Sequence, residues 1–250
     1  MTGPRRRVLV TGSSRGIGAA IARELAAAGF HVLLHARERV EDAAALAAEL
    51  GGDAAPFGAD VSRRDACDRL FAWADGAGPV HALVNNAGIY VATPFLDDDD
   101  EVFARALEGQ LATNFLSAAW LTRRFAQAAI RRGLEGARVV SVCSRVGFRG
   151  EAGAAAYAAS KAAEINLVRS LAVELASVKI GVFGVAPGWV ETAMARDEVS
   201  ARRAEIEASI PLGRVASPED CAAVVAFLLS ERAAYLSGVV IDVNGASYFH

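Results

Sequence analysis

The chain has 250 residues, 53% hydrophobic and 22% charged, with a formal net charge of -3. That length and apolar content predict one globular domain spanning residues 1–250, with a sizeable core, and exclude a disordered chain. The balance lacks the basic field that nucleic-acid binding needs. Cys67, Cys143 and Cys221 are odd in number and far apart, which excludes a disulfide framework or zinc ribbon and points to a reducing compartment.

At the N-terminus, basic residues precede an apolar run of only Val8-Leu9-Val10, too short for a signal or membrane segment. The expectation is a cytoplasmic protein with no membrane partner. Short β-branched runs then alternate with alanine-rich helical segments. Strands are expected at Arg7–Thr11, Phe30–His35, Asp53–Ala59, Val80–Asn85, Arg138–Cys143, Lys179–Val185 and Val239–Val243. Helices are expected at Gly16–Ala28, Arg39–Leu50, Arg63–Ala74, Glu101–Arg132 with a bend at Gly109, Ala154–Ser177 and Ser217–Ser230. The last starts with Ser217 as N-cap and Pro218 at the first position. The run Asp97–Glu101 suits a helix N-terminus.

This alternation predicts an α/β fold of Rossmann type: a doubly wound, seven-stranded parallel sheet with helices on both faces. One segment, about 188–212, breaks the rhythm with mixed charge and no clear strand, as a lid over a ligand would.

The segment Thr11-Gly12-Ser13-Ser14-Arg15-Gly16-Ile17-Gly18 closes the first strand and opens the first helix. Gly12 permits a tight turn, Gly16 lets the backbone approach a pyrophosphate, and Gly18 lets helix and sheet pack closely. The free N–H groups of the helix start face the phosphates. In such a unit an acid at the end of the second strand favours the free ribose hydroxyl of NAD. Here that strand ends His35-Ala36-Arg37. Arg37 and Arg15 are placed to pair with a 2′-phosphate, so the expected cofactor is NADP(H). Asp60-Val61, after the third strand, suits the adenine ring.

Tyr157 and Lys161 stand four apart in the long helix and share one face. A phenol titrates near about 10, and a neighbouring ammonium lowers that value, giving a tuned acid/base pair. Ser144 ends the fifth strand, where open α/β sheets bind ligands, and suits a substrate carbonyl oxygen. Asn114, a poor helix former inside a predicted helix, is a candidate holder of a water that relays protons to Lys161. Cys143 points away from Ser144 across the strand and reads as a small buried hydrophobe. No His/Cys/acid spacing suggests a metal, and His31, His35, His81 and His250 read as structural or exposed.

Together these residues resemble the classical short-chain dehydrogenase/reductase family over essentially the whole chain. The motifs are Thr11–Gly18, Asn85-Asn86-Ala87-Gly88, Asn114, Ser144, Tyr157 with Lys161, and Pro187-Gly188 with Thr192. The resemblance implies a catalytic tetrad of Asn114, Ser144, Tyr157 and Lys161. It implies that Gly12, Ser14, Arg15, Gly16, Ile17, Gly18, Arg37, Asp60, Val61, Asn86, Ala87 and Gly88 line the cofactor. Tyr157, Lys161, Pro187, Gly188, Val190 and Thr192 would complete that site, with Lys161 bonded to the nicotinamide ribose. It implies no metal, and a homotetramer or homodimer built through the long helices and the C-terminal strand.

Within the family the likeness is closest to 3-oxoacyl-(acyl-carrier-protein) reductases, through Tyr157-Ala-Ala-Ser-Lys161, Val185-Ala-Pro-Gly188 and Asp242-Val-Asn-Gly245. The expected substrate is a small carbonyl/alcohol compound, with a 3-oxoacyl thioester foremost and a broad or specialised-metabolism ketone as the alternative. The two arginines that dock the carrier protein in those reductases correspond here to Glu135 and Val178, with Arg131, Arg132 and Lys179 close by as substitutes. Retention of all four tetrad residues weighs against a dinucleotide-binding regulator with a vestigial site. Trp189, Met194 and Ile210 are candidates to line the substrate pocket or to pack the core, and Tyr248-Phe249-His250 to cap the chain's own core or reach a neighbouring subunit.

Overall fold

In the computed structural model, which describes residues 5–51, 55–96 and 99–250, seven strands form one parallel sheet. They are β1 (Arg7–Val10), β2 (His31–Ala36), β3 (Ala55–Gly58), β4 (Val80–Asn85), β5 (Arg138–Val142), β6 (Gly181–Pro187) and β7 (Val240–Val243). Their order is β3-β2-β1-β4-β5-β6-β7. Leu9 of β1 is in register with Leu33 on one side and Leu83 on the other. The winding reverses between β1 and β4, which opens a crevice beyond the carboxyl ends of the strands.

The helices are α1 (Gly16–Ala27), α2 (Val40–Glu49), α3 (Arg64–Gly76), α4 (Asp100–Gln110), α5 (Ser117–Arg132), α6 (Ala155–Glu174), α7 (Arg196–Ala208) and α8 (Pro218–Leu229). One face of the sheet is covered by α3, α5 and α6 through Leu70, Phe71, Leu121, Phe125, Ile165 and Val168. The other is covered by α1, α2 and α8 through Ile21, Leu25, Leu46, Val225 and Leu228. Both faces are therefore apolar, which is why the strands read as near-continuous hydrophobic runs. Burying a side chain such as Phe125 contributes about 1.5–3 kcal/mol.

The elements follow the sequence expectation with ends shifted by a residue or two; Asp53, the expected start of β3, lies outside the described residues. Three departures are informative. The bend expected at Gly109 is instead a π turn at Leu111–Leu116, between α4 and α5. The wider turn points Thr113 and Asn114 inward, and both are buried. The helix expected to reach Ser177 ends at Glu174 and tightens into a 3-10 turn, Ala176–Val178. Segment 188–212 contains α7, kinked at Arg202. Its Val199, Ile206 and Ile210 form a small separate core with Val215, against which Trp189 packs.

Caps behave as their residues dictate. The Ser217 hydroxyl accepts from the Asp220 N–H at 3.3 Å while the Asp220 carboxylate accepts from the Ser217 N–H at 2.7 Å, a reciprocal box at the start of α8. Asp99 caps α4 by accepting from the Val102 N–H at 2.8 Å; Asp97 and Asp98 lie outside the described residues. The C-terminus folds back on its own chain: the Tyr248 hydroxyl donates to the Phe148 carbonyl at 3.1 Å, and the His250 ring stacks on Phe148 at 3.8 Å. Phe249 stays exposed.

Candidate active site

The glycine turn is built by close approach. Gly12 has φ +63°, and a Cβ there would lie 2.9 Å from the Cα of Ala87. A Cβ at Gly18 would strike the Gly12 carbonyl and the Asn86 side chain. Asn86 bolts the turn to β4: its amide donates to the carbonyls of Thr11 at 2.8 Å and Gly12 at 3.0 Å. The Thr11 hydroxyl accepts from the backbone N–H groups of Asn86 and Ala87 at 2.9 and 3.0 Å.

His35, passed over in the sequence as structural or exposed, is structural in a specific sense. It is 1% exposed. Its Nδ1 accepts from the Gly12 N–H at 3.0 Å, and its Nε2 lies 2.9 Å from the Ala59 carbonyl. Both bonds are satisfied only by the neutral ring protonated on Nε2. Burial holds its pKa below the ordinary histidine value, opposed by the bond to Ala59 and the charge of Asp60.

These elements line a cleft of about 350 Å³ over the carboxyl ends of the strands. Every residue the sequence assigned to the cofactor lines it: Gly12, Ser14, Arg15, Gly16, Ile17, Gly18, Arg37, Asp60, Val61, Asn86, Ala87, Gly88, Tyr157, Lys161, Pro187, Gly188, Val190 and Thr192. Glu38 and Arg39 also line it. Arg37 is paired with Glu38 at 3.0 Å and Arg39 with Asp42 at 3.3 Å. Arg15 is exposed and has no ion pair among the described residues.

Ser144 and Tyr157 both line the cleft, with Ser144 close enough to pull the Tyr157 phenol down. Ser144 sits where β5 ends, and its hydroxyl accepts weakly from the Val146 N–H at 3.4 Å. The Tyr90 ring meets Tyr157 edge-on at 5.2 Å. The pairing of Tyr157 with Lys161 has an outcome that sequence spacing did not foresee. Burial pushes the Tyr157 phenol up, outweighing the downward pull of Lys161 and of Ser144. Lys161 is 4% exposed and its Nζ donates to the Val142 carbonyl and to Glu164, each at 2.8 Å. Glu164 is itself only 2% exposed. In sequence, a Glu three residues after a Lys on a helix reads as an ordinary exposed pair.

Asn114 stands behind the cleft rather than in its lining. Its amide donates to the Ile89 carbonyl at 3.0 Å and to the Ser160 hydroxyl at 2.9 Å, and its Oδ1 accepts from the Ile89 N–H at 2.8 Å. Both amide hydrogens are used, so the water-holding role expected of this side chain is confined to the one acceptor site left on Oδ1. Its visible work is to tie the loop after β4 to α6. Ser160 completes the tie by donating to the Tyr157 carbonyl at 2.7 Å.

Cleft residues that sequence reasoning missed are Tyr90, Arg145, Glu151 and Glu198. Arg145 is 7% exposed; its guanidinium donates to the Ser247 hydroxyl at 2.9 Å and lies over the Trp189 ring at 5.7 Å. Its position directly after Ser144 was the available signal. Met194 and Trp189 line the cleft as expected, whereas Ile210 is buried in the core of the 188–212 segment. The Cys143 thiol is buried and pushed well up by that burial, as befits an inert side chain. Among the described residues no cluster of three or more His, Cys, Asp or Glu could hold a metal, and no helix is long and apolar enough to cross a membrane.

The family model described as short chain dehydrogenase matches residues 6–203. The chain is 41% identical over 242 residues to a 3-oxoacyl-(acyl-carrier-protein) reductase of Aggregatibacter actinomycetemcomitans, covering 95% of this chain and 97% of that protein. It is 42% identical over 242 residues to nodulation protein G of Rhizobium sp. (strain N33), covering 96% of each. Among solved structures, a Brucella melitensis short-chain dehydrogenase/reductase of glucose/ribitol dehydrogenase type superposes with a TM-score of 0.89 at 34% identity, over 98% of this chain and 97% of that one. A Beutenbergia cavernae protein, provisionally described as an NAD(P)-dependent gluconate 5-dehydrogenase with NADP bound at low occupancy, gives a TM-score of 0.89 at 37% identity, over 97% and 96%.

Proposed function

Because the chain belongs to the short-chain dehydrogenase/reductase family, we propose that it acts as a single NADP(H)-dependent oxidoreductase domain that reduces a ketone to a secondary alcohol. The observation that carries this reading is the meeting of Ser144 and Tyr157, with Lys161 one helical turn on, beside the glycine turn at the point where the sheet winding reverses.

The residues present fit a dinucleotide. The turn at Gly12–Gly18 is packed so closely that a Cβ at Gly12 or Gly18 would strike Ala87, Asn86 or the Gly12 carbonyl, and the start of α1 offers free N–H groups to phosphate oxygens. Asp60 and Val61 suit the adenine, and Pro187, Gly188, Val190 and Thr192 the nicotinamide end. Arg15 and Arg37 supply the charge that a 2′-phosphate requires. A bound reduced nicotinamide would supply the hydride for the carbonyl carbon. The chain does the rest. Ser144 and Tyr157 bond the carbonyl oxygen, Tyr157 gives it a proton, and Lys161 supports the phenolate that remains. Asn114 holds the loop and helix that frame them.

The preferred substrate is a 3-oxoacyl thioester, by likeness to the Aggregatibacter reductase. One observation favours a second reading, a small polar ketone. Arg145, Glu151 and Glu198 line the same cleft as Tyr157, and burying charge against an alkyl chain is unfavourable. Of the cations beside the carrier-docking positions, Arg132 is engaged by Asp75 at 3.0 Å and Lys179 by Glu135 at 3.2 Å. Initial rates of NADPH oxidation with an acetoacetyl thioester, beside NADH and beside a cyclic ketone, separate the two. Turnover with the thioester supports the first and turnover with the free ketone alone the second. Silence with both contradicts the reductase reading.

A further inference from the structure

Lys161 and Glu164 form an ion pair at 2.8 Å, with side chains 5% and 2% exposed. A buried carboxylate is costly unless its partner is close and well aligned, and such a pair adds little to stability over apolar packing. Its placement therefore calls for another account. Nζ of Lys161 has three N–H bonds. One goes to the Val142 carbonyl at the end of β5 and one to Glu164. The third is used by neither, and Gly88 stands near, where a Cβ would lie 3.8 Å from Nζ. Glu164 thus fixes the direction in which Lys161 points. It also changes the charge that Tyr157 feels. A lone ammonium beside the phenol favours phenolate. The Glu164 carboxylate opposes that pull on Tyr157, though less strongly than Lys161 exerts it.

We propose that Glu164 is a positioning residue of this site: its carboxylate holds the Lys161 ammonium against β5 and offsets part of its charge, so that Tyr157 stays a protonated donor. The proposal rests on the reductase reading above and adds to it a residue and a direction, proton donation over proton removal. Burial first, then Glu164 and Cys143, push the Tyr157 phenol up against the pull of Lys161 and Ser144.

The other groups around this pair do not replace Glu164. From β5, Cys143 is buried and thiol-like. From the turn after it, the Arg145 guanidinium is engaged with Ser247 and Trp189. Tyr90, from the loop after β4, is pushed up by burial and by Glu198 and Glu151. The π turn contributes only Thr113 and Asn114, which carry no charge, and β6 has no titratable side chain. On α4, Arg105 and Glu108 are exposed. On α6, Arg169 lies over Phe148 at 5.5 Å.

The test is Glu164→Gln, which keeps the shape and one acceptor but removes the charge. The expected result is that the alkaline limb of kcat/KM for ketone reduction moves down by about one pH unit, while Glu164→Asp stays near the unaltered profile. A residue with a purely structural role would lower the rate at all pH values and leave the limb in place; that result, or a limb moving up, overturns the proposal. A substrate-free readout decides the matter separately. The Tyr157 phenolate absorbance, taken as the difference between the chain and its Tyr157→Phe variant, should titrate at lower pH with Glu164→Gln. An unmoved midpoint refutes the proposal even where no ketone is turned over, and absence of turnover with a moved midpoint removes only the reductase reading.

Discussion

The backbone N–H of Gly12 donates to Nδ1 of His35 at 3.0 Å, so the conformation of the glycine turn depends on a buried neutral imidazole. The folded pKa of His35 is depressed below 6.5 by burial, so the unfolded chain takes up the proton first. Stability from this group is complete above about 6.5 and is lost as pH falls below it. Denaturant unfolding at pH 7 and pH 5 should show the decline, and His35→Leu should remove the part of it that His35 contributes. The same substitution strands the Gly12 N–H and should cost about 1–3 kcal/mol at pH 7. A wild-type pH slope in His35→Leu would contradict this.

Arg37 is held by Glu38 at 3.0 Å, an acid that competes with any 2′-phosphate. Arg37→Ala and Arg15→Ala should each weaken NADPH by about tenfold and leave NADH nearly unchanged. Glu38→Gln should act the other way and tighten NADPH. Cofactor titrations by fluorescence measure all three, and equal losses for both cofactors would remove the arginines from 2′-phosphate recognition.

Ser144 lines the cleft with Tyr157 and caps the short turn after β5. Ser144→Ala should lower kcat by about 10²–10³ with a small change in KM, because one donor to the reacting oxygen is gone. Steady-state kinetics check it; a loss confined to KM would make Ser144 a binding group only.

Gly12→Ala places a methyl 2.9 Å from Ala87 at φ +63°. The backbone strain alone costs about 1 kcal/mol, and the crowding moves the turn. Weaker cofactor binding should exceed the fall in Tm expected from strain. A variant that binds cofactor normally would show that the turn tolerates the shift.

The order of elements was legible because the central strands are buried on both faces and read as apolar runs, and helices such as α1, α2 and α6 are rich in alanine. The glycine turn, Ser144, Tyr157 and Lys161 were legible because their spacing has a mechanical reason. What could not be read depends on tertiary packing. The π turn at Leu111–Leu116 follows from Asn114 reaching Ile89 and Ser160, partners 25 and 46 residues away. His35 acquires its role from Gly12 and Ala59, on neighbouring segments. The rise in the Tyr157 pKa comes from burial, which a Tyr/Lys spacing does not report, and Glu164 looks like a surface partner until α6 turns it inward.

The proton donation proposed for Tyr157 in ketone reduction is tested by Tyr157→Phe. The variant keeps the ring that meets Tyr90 and loses only the hydroxyl. Measured with NADPH and whichever ketone the unaltered chain reduces, kcat/KM should fall by about 10²–10⁴, while NADPH binding stays within about twofold, as expected for a hydroxyl that acts on the transition state. Near-normal turnover by Tyr157→Phe would contradict the account.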